Sequence, residues 1–196
     1  MRQDGSGAGQ TAAGLDGGVG RALDEPVKPG DHPEFFRFPA PEGRSRESTL
    51  RLDGSGRFWH DGAKVEHAGL SNALHSWISR HPDDGRYILT NGYDWTYFTV
   101  DDAPYFVQSL KIAADGVTLV LSDGSEEPWE PGSSWVGDGD ALYALVKRES
   151  PRGPFEAKFT AHAQASLEPA LVEGGAAGLP ALRLGNRVVQ IGGVGR

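Results

Sequence analysis

Between Ser48 and Pro104 one helical period is set between two runs of alternating strands, and that switch of period limits the chain to mixed helix-and-sheet folds. Thr49 to Leu52 and Arg57 to His60 flank Asp53-Gly54-Ser55-Gly56, whose glycines supply the positive φ that a short hairpin turn needs. Asp61-Gly62 then turns the chain into Ala63 to Val65, which completes a three-stranded meander. Gly69 to Arg80 puts Leu70, Ala73, Leu74, Trp77 and Ile78 on one face of a helix and Ser71, Asn72, His75, Ser76 and Ser79 on the other. The pattern predicts an amphipathic helix over 69–80, packed by one face. Pro82-Asp83-Asp84-Gly85 ends it, and Arg86 to Thr90 with Tyr93 to Val100 reads as a hairpin turning at Asn91-Gly92.

The rest of the chain follows this order more loosely. Tyr105 to Ala113, Val117 to Leu121, Glu126 to Glu130 and Leu142 to Arg148 read as strands, with turns at Asp115-Gly116 and Asp123-Gly124. Thr160 is placed to cap a helix carrying Ala163, Leu167 and Leu171 inward, which Pro169 must stop. Leu182 to Leu184 and Val188 to Ile191 close it as a hairpin around Gly185-Asn186. The expected fold is therefore α+β, with two structurally repeated units, 47–103 and 104–196, each of antiparallel strands plus one helix. Ahead of them, seven of the first twenty residues are Gly, so 1–25 is expected to be a disordered tail. Residues 26–46 hold five Pro and the cluster Phe35, Phe36 and Phe38, and are expected to run as an extended arm docked through its Phe side chains.

Composition excludes some chemistry. With no Cys there are no disulfides, zinc-thiolate sites or cysteine nucleophiles. A net charge of -8 argues against broad nucleic-acid binding, and no apolar run reaches the length of a signal-peptide core or a membrane span. A soluble, cytoplasmic protein without a membrane partner is expected, and no cofactor is indicated.

Candidate chemical groups are then few. His60, His67, His75 and His81 lack the i, i+4 spacing of a metal-binding helix and are expected to be solvated or hydrogen-bonded, so no metal site is assigned. Asp101-Asp102, before Ala103-Pro104, has the place of a turn cap, although adjacent carboxylates can also act as acid and base. Asp138-Gly139-Asp140 lacks the other ligands of a calcium loop, and no Ser lies in a nucleophile elbow, so no catalytic residue is assigned. Aromatics beside cations give the clearest remaining pattern. Tyr93, Trp95 and Tyr97 alternate onto one face, and Trp59 and Arg86 lie on neighbouring strands, so that face is either core or a stacking surface.

Leu50-Arg51-Leu52, Gly54, Phe58-Trp59, Gly62, Val65, Leu70, Leu74, Asp84-Gly85, Tyr87, Thr90 and the run Val100-Asp101-Asp102-Ala103-Pro104 together resemble the core pattern of a bacterial family, domain of unknown function 1285. The resemblance covers residues 49 to 106, with 159 to 192 similar in outline. The family's Pro-rich lead and Cys-Gly pair are missing from this chain, as in a divergent relative. What the resemblance implies is a duplicated α+β protein whose second half is similar to a pleckstrin-homology-like barrel, with a ligand cleft between the halves and no established activity.

These readings converge on a non-enzymatic small-ligand-binding or regulatory module, with Trp59, Arg86, Tyr93, Trp95 and Asp101 holding a nucleotide-like ligand between the repeats. The alternatives are a hydrolase using Asp101 or Asp102 with His60, and a protein-interaction domain.

Overall fold

A computed structural model describes residues 27–172 and 180–192, so the Gly-rich tail expected at 1–25 lies outside the described residues. The meander forms as β1 (Glu47–Leu52), β2 (Phe58–His60) and β3 (Ala63–Lys64), followed by α1 (Ala68–Ser76) and then β4 (Ile78–Arg80), β5 (Tyr87–Thr90) and β6 (Trp95–Val100). These six strands make one sheet in the order β3-β2-β1-β6-β5-β4, in which β1 and β6 run parallel and every other pair is antiparallel.

The second half repeats this wiring. β7 (Tyr105–Ile112), β8 (Val117–Leu121) and β9 (Glu126–Pro128) form a meander, and β10 (Trp135–Val136), β11 (Leu142–Val146) and β12 (Phe155–Phe159) complete a second sheet. Its order is β9-β8-β7-β12-β11-β10, again with its first and last strands, β7 and β12, parallel at the centre. The duplication is real, but its correspondence differs from the one expected. In the first unit α1 links the two meanders, whereas in the second that link holds only a single 3-10 turn, Pro131–Ser133. The helix capped by Thr160 is α2 (Ala161–Ala165), which follows the finished sheet, and β13 (Leu171–Val172), β14 (Ala181–Leu184) and β15 (Arg187–Gln190) add a small third sheet.

Three further corrections have physical reasons. The helix expected over 69–80 stops at Ser76: Trp77 caps it, and Ile78 to Arg80 pairs with β5, exchanging one more helical turn for a strand ladder suited to a β-branched residue. Both sheets are mixed, since the parallel central pairs join segments far apart in sequence. No closed barrel forms among the described residues: β9 and β10 remain at opposite edges of the second sheet. Side chains reach instead from beside β9 to the end of β11, the Glu127 carboxylate accepting the Lys147 backbone N–H at 3.1 Å and Arg148 pairing with Glu130 at 2.9 Å.

One core serves both sheets, with Leu52, Phe58, Leu74, Ile78 and Phe98 packed in the same cluster as Phe106, Leu119 and Phe155. A smaller cluster of Phe36, Ile88 and Trp95 lies apart from it. β5 therefore buries both Ile88 and Leu89, which is why Tyr-Ile-Leu-Thr does not alternate cleanly. The small cluster is roofed by the arm, which is turned rather than extended, its prolines starting 3-10 turns at Pro29–Asp31 and Pro33–Arg37. Phe36 is buried, whereas Phe38 is 62% exposed. Arg152, from the second unit, clasps the arm: its guanidinium sits 4.0 Å from the Phe36 ring centre and donates to the Gly30 carbonyl at 3.2 Å and Ser79 Oγ at 3.3 Å.

Candidate functional site

The structure does not gather the five sequence-nominated residues at one point. Trp95 belongs to the small core cluster, 6% exposed, edge-on to Tyr97 at 5.1 Å, with the Arg46 guanidinium 4.5 Å from its ring centre and its indole N–H without a partner. Tyr93 lies before β6 begins and is 61% exposed, so it does not share the face of Trp95 and Tyr97. Trp59, Arg86 and Asp101 accompany two arginine-aromatic pairs. In the first, the Arg51 guanidinium is 6.0 Å from Trp59 and binds Asp101 at 3.0 Å, while the Trp59 indole donates to Asp53 at 2.8 Å. In the second, the Arg86 guanidinium stacks 3.7 Å from the Tyr97 ring centre and grips both Glu47 oxygens at 2.8 Å. That grip holds the Glu47 carboxyl below its ordinary range, and burial with the hydrogen bond to Asp84 pushes the Tyr97 hydroxyl up to about 12. Each of these two arginines thus already has a carboxylate partner.

The junction between the halves is filled. Asp102 accepts from Lys158 at 2.6 Å and from the Tyr143 hydroxyl at 3.0 Å, and Lys158 also reaches the Gly54 carbonyl. A methyl group placed on Gly56 would stand 3.0 Å from the Phe106 ring, and the Tyr105 hydroxyl donates to the Ile78 carbonyl at 3.3 Å. Strand alternation separates the groups of the hydrolase reading. Arg51 and Trp59 are register partners on one face of β1 and β2, and Asp101 is bound there; His60, one residue on, lies on the other face beside Leu50 and Val65.

Of the four histidines expected to be solvated or hydrogen-bonded, two lie near the surface and two are buried with a hydrogen bond. His67 caps α1 through Nδ1, accepting the Leu70 N–H at 3.1 Å, and His60 is exposed. His75 and His81 are buried, His81 contacting the Phe36 carbonyl at 3.1 Å and lying among the rings of Phe36, Trp95 and Tyr97. Among the described residues no group of three or more His, Asp or Glu is arranged to hold a metal ion.

What sequence reasoning missed lies beside α1. Two adjoining cavities share Leu50 and Leu74: one of about 200 Å³ also lined by Trp77, Leu89, Trp95 and Thr96, and one of about 210 Å³ also lined by Val65, Leu70 and His60. Leu70, on the helix surface, is 45% exposed at the second. The signal available in sequence was the aliphatic set itself, assigned there wholly to core. A larger space of about 570 Å³ lies in the second unit among Asp138, Asp140, Lys158, Gln164 and Glu168, but its linings are mostly engaged: Lys158 with Asp102, Gln164 with Leu142 and Asp140.

Fold and surface together define a duplicated α+β protein with paired apolar cavities against a short helix and no assembled catalytic constellation among the described residues. No family model matches the chain, and no curated protein matches it. Among solved structures it is similar to a DUF1285 family protein from Silicibacter pomeroyi DSS-3, at 14% identity and a TM-score of 0.51 over 80% of this chain and 91% of that one. It is also similar to a DUF1285 family protein from Shewanella baltica OS155, at 17% identity and a TM-score of 0.47 over 60% of this chain and 87% of that one. The chain resembles the Silicibacter protein in fold. No helix among the described residues is long and apolar enough to cross a membrane.

Proposed function

We propose that the protein is a non-enzymatic small-ligand-binding module whose site is the pair of cavities beside α1. The observation that carries this reading is the shared wall of Leu50 and Leu74 between two spaces of about 200 and 210 Å³, lined chiefly by aliphatic side chains and Trp. Polar groups stand at the margins: Asn91 and Thr96 at one cavity, His60 at the other. Asp94, the one carboxylate of the first, is paired with Arg46 at 2.6 Å, so an uncharged ligand leaves no ion unmatched. Both spaces open to the surface and each exceeds the roughly 150 Å³ that encloses a benzene ring, so the ligand class is an uncharged aromatic or short-chain apolar molecule held by one face. The test is a methyl-detected NMR titration with toluene and with indole: resonances of Leu50, Leu74 and Leu89 shift saturably, and Leu50→Phe, which fills the shared wall, abolishes the shift. Unmoved methyls would reject the reading.

A nucleotide-like ligand is the second reading, favoured by the two arginine-aromatic pairs, Arg51 with Trp59 and Arg86 with Tyr97. It requires each arginine to leave its carboxylate for a phosphate. Adenosine monophosphate, followed through the Trp59 indole N–H resonance, would then shift that signal saturably, and Arg51→Ala would remove the response.

A further inference from the structure

α1 carries the cavity wall and a buried imidazole on consecutive residues. Leu74 lines both cavities, and His75 is 5% exposed, edge-on to Phe58 at 4.9 Å, with Nε2 3.3 Å from the Gly56 carbonyl in the β1–β2 turn. Nδ1 is buried and has no hydrogen-bond partner. These contacts select one neutral tautomer: Nε2–H donates to Gly56, and Nδ1 keeps its lone pair. A proton on Nδ1 would add a charge and a donor where nothing accepts it.

The surrounding charges are already committed. From the β8–β9 turn Asp123 acts on the ring, but it holds Lys147 at 2.8 Å and Ser125 Oγ at 2.6 Å. From the β1–β2 turn Asp53 accepts from Ser55, from the Arg57 backbone N–H and from the Trp59 indole, and Arg57 itself is exposed and of like charge to a protonated imidazole.

We infer that His75 is an acid-sensitive latch for α1: the neutral ring seats the helix against Gly56 and Phe58, and protonation unseats it and loosens the cavities that Leu74 walls. The ligand part of this inference rests on the reading above. Burial holds the imidazole below its ordinary titration range, outweighing the Gly56 carbonyl and Asp123. Because the folded value lies below the unfolded one, the stabilisation is complete above the ordinary histidine range and is lost as pH falls through the depressed value.

The experiment uses the full chain from pH 7.5 to 4.5, following imidazole resonances, hydrogen exchange of the α1 amides and toluene binding. His75 titrates below the ordinary value of about 6.5, α1 protection falls in the same window, and toluene affinity falls by up to about tenfold per pH unit, the limit for one coupled proton. His75→Gln, which still offers Gly56 a donor, holds α1 protection level across that window. If that variant fails to fold, the wild-type imidazole titration decides. A His75 value at or above the ordinary one, or parallel loss of α1 protection in wild type and His75→Gln, overturns the latch. Absence of toluene binding at pH 7.5 rejects the ligand reading alone, and the exchange data still judge the latch.

Discussion

Gly56 and Gly62 together give a measurement of how tightly the two units are pressed together. Both have positive φ, +81° at Gly56 and +77° at Gly62, but a Cβ on Gly62 meets nothing within 4 Å, whereas one on Gly56 stands 3.0 Å from Phe106 Cδ2 and 3.1 Å from Cγ. Gly62→Ala isolates the backbone cost. The left-handed conformation costs an L-residue about 1–2 kcal/mol, and loss of unfolded-chain freedom returns about 0.4–1 kcal/mol, for a net destabilisation of about 1 kcal/mol. Gly56→Ala carries the same cost plus the collision. Phe106 is 2% exposed in the shared core and has no room to retreat, so overpacking adds about 1–3 kcal/mol and brings the total to roughly 2–4 kcal/mol. Urea unfolding followed by far-UV circular dichroism resolves the difference, and the cycle with Phe106→Leu should return a coupling of about 1 kcal/mol or more, because the smaller side chain yields to the new methyl. Equal losses for the two glycine variants, within about 0.5 kcal/mol, would refute the claim that the β1–β2 turn is wedged against the second unit.

Trp95→Ala should cost about 3–5 kcal/mol by chemical denaturation and Trp95→Phe much less, since the indole N–H has no partner to lose. Tyr93→Ala should change stability by no more than about 0.5 kcal/mol, and the reverse ranking would reject the assignment of Trp95 to the core. Asp123→Asn leaves the Lys147 ammonium without its carboxylate where the two side chains are 10% and 21% exposed, and should cost about 3 kcal/mol, the low end for a broken buried pair. Burial raises the Asp123 carboxyl, but Lys147 and Ser125 outweigh it and hold it below the ordinary range. Its contribution is therefore present above pH ~4 and fades as pH falls through the folded value, so the gap between wild type and Asp123→Asn in urea midpoints should narrow at pH 3. Arg152→Ala should speed tryptic cleavage at Arg37 and Arg44 several-fold by unclasping the arm, while Arg148→Ala, which breaks an ion pair with Glu130 elsewhere, should leave it unchanged.

Local features were legible in the sequence wherever a turn demanded a particular residue. Asp61-Gly62, Asn91-Gly92, Asp123-Gly124 and Gly185-Asn186 each mark a chain reversal of the structure, and Thr160 caps α2 through its hydroxyl as its position suggests. Non-local pairing was not legible. Nothing in Leu50-Arg51-Leu52 announces a parallel partner in Thr99-Val100, and Phe155-Glu-Ala-Lys-Phe159, preceded by Pro151 and Pro154, gave no sign that it would lie at the centre of a sheet. His75 was misplaced for a related reason. A helical wheel puts His75 with the polar residues, but the β1–β2 turn covers that one position of α1 through Gly56 and Phe58, while Asn72 and Ser76 stay exposed. The nominated aromatics were sorted by the arm, whose Phe36 turns the face of Trp95 into core.

The parallel central pairs carry a consequence for synthesis. Each unit begins and ends at the middle of its own sheet, with Leu52 opposite Val100 in the first and Val107 opposite Phe159 in the second. During translation the opening meander of each unit therefore waits with its innermost edge unpaired until the last strand leaves the ribosome, a slow closure that pays loop entropy before any contact rewards it. That interval exposes β1, and later β7, to wrong partners, and because both units share one wiring the most similar wrong partner is the other half of the same chain. The charged residues alternating along β1, Glu47 and Arg51, oppose such mispairing while the edge is bare.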